Sequence, residues 1–187
     1  MRKTMTKHKD SSYELILEKA LEVVMESGAA SLTFEAVAKK SGISRGGILY
    51  HFPSKQALLQ AILDQYVTKD MESFNKHWEK LGSTPETMVK AELLCATEED
   101  MDRDDEAVAL LAAVVNNPAL LDNVKPIIEG RYDVARNQKT FERQASVLLA
   151  LDGIYMLRAL GLQPLNRKER KKVYQYLLSL LNDKEAA

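Results

Sequence analysis

Four side chains suited to gripping oxygen anions follow one another along a short part of the chain: the guanidinium of Arg45, the phenol of Tyr50, the imidazole of His51 and the ammonium of Lys55. All four donate hydrogen bonds, and none stands in a nucleophile–base pair, a metal-ligand spacing or a phosphate loop, so they predict binding rather than bond-making. Phosphate oxygens receive half or more of the hydrogen bonds in protein–DNA complexes, which suits the O–H of Tyr50 and the ring N–H of His51. Arg45 is long enough to pair bidentately with a guanine edge. Beside it lie Gly46 and Gly47. Each costs about 1 kcal/mol in a helix relative to alanine, so the expected benefit is access: a backbone that can approach a base or a phosphate closely. Lys55 stands at a helix start just after the cap Ser54, where the helix dipole disfavours a cation and a bound phosphate would relieve the conflict.

Positioning these groups requires two short helices and a tight turn. Thr33 is expected to cap the first by accepting an amide hydrogen bond, with Leu32 before it packing on Val37, and Ser44 repeats the arrangement with Ile43 and Ile48. Between them Ser41-Gly42 offers the left-handed residue that a sharp turn needs. A helix, a short turn and a crossing second helix make a helix-turn-helix, whose second helix enters the DNA major groove.

The remainder reads as helix almost throughout. Upstream, Tyr13 to Ser27 places Tyr13, Leu17, Ala20, Leu21 and Val24 on one side and Glu14, Glu18, Glu22 and Glu26 on the other, and Gly28 ends it. Downstream, Leu59, Leu63, Val67, Met71, Phe74 and Trp78 form the inner stripe of one long helix from Ser54 to about Leu81. Gly82-Ser83-Thr84-Pro85 breaks it, with Thr84 capping the next helix and Pro85 at its first position; Asn116-Asn117-Pro118 and Gly161 to Pro164 are further breaks. No strand run or repeat is present. The expected architecture is all-α, about nine helices, with a helix-turn-helix domain at 1–53 and a helical domain at 54–187.

Composition excludes several other classes. The 187 residues are 28% charged and 45% hydrophobic, as in globular proteins rather than disordered ones. Cys95 stands alone, which rules out an internal disulfide framework and fits a reducing cytoplasm. The start MRKTMTKHKDSSY has no apolar core behind its basic residues, so no signal peptide is expected. Val147 to Leu162, interrupted by Asp152 and Arg158, is too short to span a bilayer comfortably, so no membrane partner is expected either. The net charge of −1 divides unevenly: residues 1–60 hold nine Lys/Arg against six Asp/Glu, or +3, and the rest hold 17 against 21, or −4. The excess begins in Arg2, Lys3, Lys7 and Lys9, which predict a mobile arm following the DNA backbone. The acidic run Glu98, Glu99, Asp100, Asp102, Asp104, Asp105 and Glu106 lacks the glycine of a calcium loop and reads as a solvated connection with Asp104 as a cap. His8, His51 and Cys95 are too scattered for zinc. No metal and no cofactor is expected.

The segment SRGGILYHFPSKQALL resembles the recognition helix and following segment of the TetR family of bacterial transcriptional regulators, in which a His-Phe pair precedes a lysine at the next helix start. The resemblance covers about residues 13 to 63. It implies that Thr33, Ser44, Arg45, Gly46, Gly47 and Lys55 face DNA and that Tyr50 and His51 contact phosphate. The family pattern usually has a tyrosine two residues before the His; Leu49 stands there, and the adjacent Tyr50 is assigned its role.

Thr140 to Leu162 is apolar nearly all round, and Arg167 to Leu181 carries Val173, Tyr174, Leu177, Leu180 and Leu181. In a chain of this size such helices bury fully only against a partner, which predicts a homodimer joined through Leu149, Gly153, Val173, Tyr174, Leu177 and Leu181, the alternative being that they form only an intramolecular core; the resemblance implies the same pair of helices at the dimer interface. Two recognition helices about 34 Å apart would then read a palindrome. Phe74, Trp78, Met88, Cys95, Met101, Tyr132, Tyr155 and Met156 are adaptable aromatic or sulfur-bearing side chains able to line a small-molecule cavity, although most of them are expected to be plain core, and the resemblance implies an inducer held in this domain. The expectation is a cytoplasmic, non-enzymatic, dimeric repressor of double-stranded DNA released by a small-molecule effector. The alternatives are control by a protein partner on the same fold, or a helical enzyme.

Overall fold

The structure, a computed structural model, describes residues 3–99, 106, 109–110, 113–114 and 117–182, without the side chains of 3–10, 99 and 159. Among them are eight α-helices, three short 3-10 helices and no strand. They gather into two compact units, Met1–Tyr66 with Asp105–Leu120, and Val67–Asp104 with Leu121–Ala187.

In the first unit α1 (Lys3–Ser27) buries Ile16, Leu17, Ala20, Val23 and Val24, a stripe at helical spacing, and ends where the Gly28 amide donates to the Val24 carbonyl at 2.8 Å. Its backbone is helical from Lys3. The basic arm expected to be mobile is therefore continuous with this helix; Arg2 and the side chains of Lys3, Lys7 and Lys9 lie outside the described residues. A 3-10 turn (Ala29–Ser31) leads to α2 (Phe34–Ser41), α3 (Arg45–His51) and the first part of α4 (Lys55–Lys80). Their common core is Leu32, Val37, Ile48, Phe52, Leu58 and Ile62, each at most 3% exposed. Full burial of such side chains is worth about 1.5–3 kcal/mol each, which is what holds the short helices in place.

The second unit contains the rest of α4, then α5 (Met88–Glu99), α6 (Lys125–Arg136), α7 (Phe141–Ala159) and α8 (Arg167–Asn182). Met88, Val89, Leu93, Ala135, Val147, Leu148, Leu151, Tyr174 and Leu177 form its core, with Phe74 and Trp78 packed against it. The break after α4 is held by Gly82 at φ 90°, by the Trp78 indole N–H donating to the Thr84 carbonyl at 2.9 Å, and by Thr87 Oγ1 accepting the Thr84 amide at 3.2 Å. A 3-10 turn (Pro85–Thr87) separates Thr84 from α5, so the cap expected of Thr84 serves this turn rather than the α-helix itself. Asn166 and Glu169 cap α8 reciprocally, at 2.8 and 3.1 Å. Most of the acidic run lies outside the described residues; Glu98 faces His77, its carboxylate 3.0 Å from Nε2.

Candidate nucleic-acid interface and effector-domain sites

The two short helices are built from local hydrogen bonds. Thr33 Oγ1 accepts the Ala36 amide at 3.1 Å and Ser44 Oγ accepts the Gly47 amide at 3.1 Å, each in extended backbone before its helix. Gly42, at φ 72°, returns its amide to the Ala38 carbonyl at 3.0 Å and turns the chain between them. Lys40 ties α2 to α1 through Glu26 at 2.7 Å and Glu22 at 3.3 Å.

On α3 the side chains divide sharply. Ile48 is fully buried and anchors the helix, while Arg45, Gly46, Leu49 and Tyr50 are exposed, Tyr50 by 71%. Leu49, at 37% exposure, thus shares the open side of the helix with Tyr50. His51 is half-buried, with the Tyr13 ring 6.0 Å and the Tyr50 ring 5.2 Å from its own, both edge to face. Arg45 Nη1 donates to Glu35 Oε1 of α2 at 2.8 Å.

Two placements alter the sequence-based account. A Cβ on Gly47 would lie 2.9 Å from Ile43 Cγ2, so any larger residue there forces Ile43 to shift, whereas a Cβ on Gly46 meets nothing within 4 Å. Lys55 Nζ donates to the Ala30 carbonyl at 2.9 Å, so its ammonium already closes the turn after α1. Ser54 caps α4 as expected, accepting the Ala57 amide at 3.0 Å.

In the second unit Phe74, Trp78, Tyr132 and Tyr155 pack against the core to which Met88 belongs. Phe74 and Trp78 stack with centroids 5.5 Å apart, and Met88 and Cys95 are buried, the Cys95 thiol 3.3 Å from Ser73 Oγ. Tyr155 is half-buried beside the core, and Met101 lies outside the described residues. Met156 is 52% exposed and is no part of an interior. It falls on one stripe of α7 with Leu149, Gly153 and, just past the helix end, Leu160, all exposed and spaced at four, three and four residues. The residues expected at a dimer face divide too. Tyr174 and Leu177 belong to this chain's own core, because they point at α5 and α7 residues of the same unit, and Leu181 packs half-buried against it. Val173 shares a face of α8 with the exposed Tyr176 and with Leu180.

A polar cluster not anticipated from the sequence joins three helices of this unit. Arg131 of α6 donates to Glu92 of α5 at 2.9 Å and to Asp152 of α7 at 3.2 Å, and the Tyr132 hydroxyl donates to Asp152 at 2.7 Å. Burial pushes the Glu92 carboxyl above its ordinary range against the pull of Arg131. Burial likewise opposes the charge of Arg131, yet Glu92 and Asp152 together carry it above its ordinary value. Tyr132 is pushed up to about 12 by burial and by its bond to Asp152. Among the described residues the buried Arg131 Nε has no hydrogen-bond partner. The one hint in the sequence was Asp152, a charge interrupting an apolar run.

Among the described residues no group of three or more His, Cys, Asp or Glu could hold a metal ion, and no helix is long and apolar enough to cross a membrane. A capped pair of helices crossing at a glycine turn, with the second presenting a cation and a phenol to solvent, defines a DNA-binding helix-turn-helix protein. Residues 16–62 match the sequence family described as bacterial regulatory proteins of the tetR family, and residues 82–182 match the tetracyclin repressor-like C-terminal domain. The chain belongs to the TetR family of transcriptional regulators. It is similar to the HTH-type transcriptional regulator YerO of Bacillus subtilis (strain 168), 30% identical over 99 residues that make up 52% of this chain and 34% of YerO. It is also similar to UidR of Escherichia coli (strain K12), 30% identical over 110 residues, 59% of this chain and 55% of UidR. The matched part thus spans between a third and somewhat over half of the length of these curated relatives. A TetR-family member from Streptomyces coelicolor A3 (SCO1917) shares the fold with a TM-score of 0.69 at 22% identity, over 89% of this chain and 97% of that one. The multidrug binding protein EbrR, solved with imidazole, shares it with a TM-score of 0.61 at 22% identity, over 88% of each chain.

Proposed function

We propose that this chain is a homodimeric repressor that reads a palindromic operator through α3 and is released from it by a small-molecule effector bound in the second unit. The observation that carries the DNA reading is the exposed side of α3, where Arg45 and Tyr50 project from a helix fixed by Ile48 and the Ser44 cap. In this reading Thr33, Ser44, Arg45, Gly46 and Tyr50 face the groove or its phosphates, and His51 donates a ring N–H from its seat beside Tyr13. Gly47 serves by letting α3 close on Ile43, and Lys55 by holding the Ala30 carbonyl until a phosphate competes for its ammonium. In this reading residues 1–53 are the DNA-reading part, and α4, which begins at Lys55 and contributes residues to both compact units, is the covalent route to the regulatory part.

Dimerisation is supported by the apolar stripe of Leu149, Gly153 and Met156 on α7 with Leu160 at its C-terminal cap, and by Tyr176 of α8, since soluble monomers rarely expose contiguous apolar surface of this kind. The effector reading rests on the Arg131 cluster, in which the Tyr132 phenol joins the ion pairs, and on the Phe74–Trp78 pair of the same unit; charged and aromatic side chains in one domain suit a ligand that is polar at one end and flat or apolar at the other. EbrR, of the same fold, is described as a multidrug binding protein. Family membership supports a regulator without catalytic activity, acting in the cytoplasm. Selection from a randomised duplex library tests the reading: a palindromic consensus bound by two chains is expected, and recovery of asymmetric or unrelated sequences refutes it.

A further inference from the structure

Glu35 and Arg45 meet across the turn of the helix-turn-helix. Glu35 lies in the first turn of α2 and Arg45 is the first residue of α3, with Nη1 2.8 Å from Glu35 Oε1. Both side chains are 64% exposed, so solvent screens the pair and its own weight in stability is small. Its position gives it another consequence. A guanidinium carries five N–H donors in a rigid fork, and one hydrogen bond at Nη1 leaves a complete two-donor edge open for the O6 and N7 acceptors of a guanine. An arginine without such a holder, on a flexible stem near the helix start, pairs with whichever phosphate is nearest, which adds affinity and carries no sequence information. Conversely, a carboxylate this close to the duplex repels its phosphates unless a cation covers it.

We infer that Glu35 is a positioning residue for base recognition: it fixes the Arg45 guanidinium in one orientation and thereby sets the preference at the base pair Arg45 reads. The inference rests on the reading of Arg45 as a base contact and deepens it. Glu35 also sits where the dipole of α2 favours an acid, a role that would support the helix without touching base preference. The two roles therefore separate in a specificity measurement.

The full chain and the variants Glu35→Ala, Glu35→Gln, Arg45→Ala and the double alanine variant are titrated, by fluorescence anisotropy, against the duplex selected by the parent, its single-base-pair variants and an unrelated duplex. Arg45→Ala is expected to lose a roughly 5- to 150-fold preference at one position of each half-site, the range of a good bidentate pair. Glu35→Ala loses part of the preference at that same position, at least about 3-fold, while binding the unrelated duplex more tightly because a negative charge has gone. Glu35→Gln, whose amide oxygen still accepts from Nη1, keeps more of the preference than Glu35→Ala, and the double variant discriminates no worse than Arg45→Ala alone. Unchanged preference in Glu35→Ala beside a flattened one in Arg45→Ala overturns the role of Glu35 and leaves Arg45 standing. Equal weakening on every duplex in both Glu35 variants, with a lowered melting midpoint, assigns Glu35 to helix support and overturns it as well. If Arg45→Ala keeps every preference, the reading of Arg45 itself is wrong.

Discussion

The paired glycines of α3 permit a comparison in which two chemically identical substitutions have opposite outcomes. Gly46→Ala adds a methyl group with nothing within 4 Å, so only the backbone gain remains, up to about 1 kcal/mol in favour of the helix. Gly47→Ala makes the same backbone gain but sets its Cβ 2.9 Å from Ile43 Cγ2 and 3.4 Å from the capping Ser44 Oγ. Ile43 is β-branched and stiff at its first torsion, so its methyl cannot swing aside, and overpacking of this kind costs about 1–3 kcal/mol. The net expectation is that Gly46→Ala is neutral to stabilised and Gly47→Ala destabilised by about 1 kcal/mol, a difference of roughly 2–4 °C per kcal/mol in melting midpoint for a chain of this size. Thermal denaturation followed by circular dichroism measures it, with both variants compared directly so that unfolding in more than one step affects them alike. Binding of the selected duplex is measured beside it. Gly46→Ala should bind DNA more weakly despite its stability, because its methyl projects from the exposed side of α3. Equal midpoints for the two variants refute the packing argument for Gly47, and parental DNA affinity in Gly46→Ala refutes the access argument for Gly46.

Replacing Ser44 by Ala removes the acceptor of the Gly47 amide and should cost about 1 kcal/mol, with a like loss for Thr33→Ala; melting midpoints unchanged in both would contradict the capping assignment. Lys55→Ala should weaken binding to every duplex alike and lower the slope of log affinity against log salt by about one, and an unaltered slope in a titration series would remove Lys55 from the phosphate contacts. The Glu92 carboxyl, raised in the folded chain, contributes stability that is full below its ordinary unfolded range and is lost as pH rises through its folded value. Glu92→Gln should therefore gain on the parent as pH is raised through and above the ordinary carboxylate range, and parallel melting curves from acid to neutral pH would show that Glu92 does not titrate there. Leu149→Asp or Met156→Asp should turn a sedimenting dimer into a monomer at micromolar concentration, whereas a parent chain that already sediments as a monomer would dispose of the proposed interface.

What could be read along the chain is what forms within a few residues. The caps at Thr33 and Ser44, the left-handed Gly42 and the Ser54 start of α4 each depend on atoms three or four positions apart, so residue type and spacing specify them. The helical stripes were legible for the same reason, although the long helix proves to bury Leu58 and Ile62 most completely, beside the expected Leu59 and Leu63, because neighbouring helices cover a wider arc than one row of residues.

Periodicity names a face and not what lies opposite it. Tyr174 and Met156 are both apolar residues on amphipathic helices, yet the first is 3% exposed in its own chain's core and the second 52% exposed. Only packing against α5 and α7 distinguishes them. The same holds for charge. Glu35 with Arg45, and Glu92 with Arg131 and Asp152, are drawn from separate helices, so nothing in their local sequence marks them as partners.

The helices, their ends, the turn and the kind of chemistry offered by Arg45, Tyr50, His51 and Lys55 follow from residue order, because short-range hydrogen bonding and the side chains' own functional groups specify them. Which of those groups is already engaged within the chain depends on how the helices pack. Lys55 reaches the Ala30 carbonyl, Arg45 reaches Glu35 and Gly47 gives way to Ile43, each by a contact that exists only once the helices have packed.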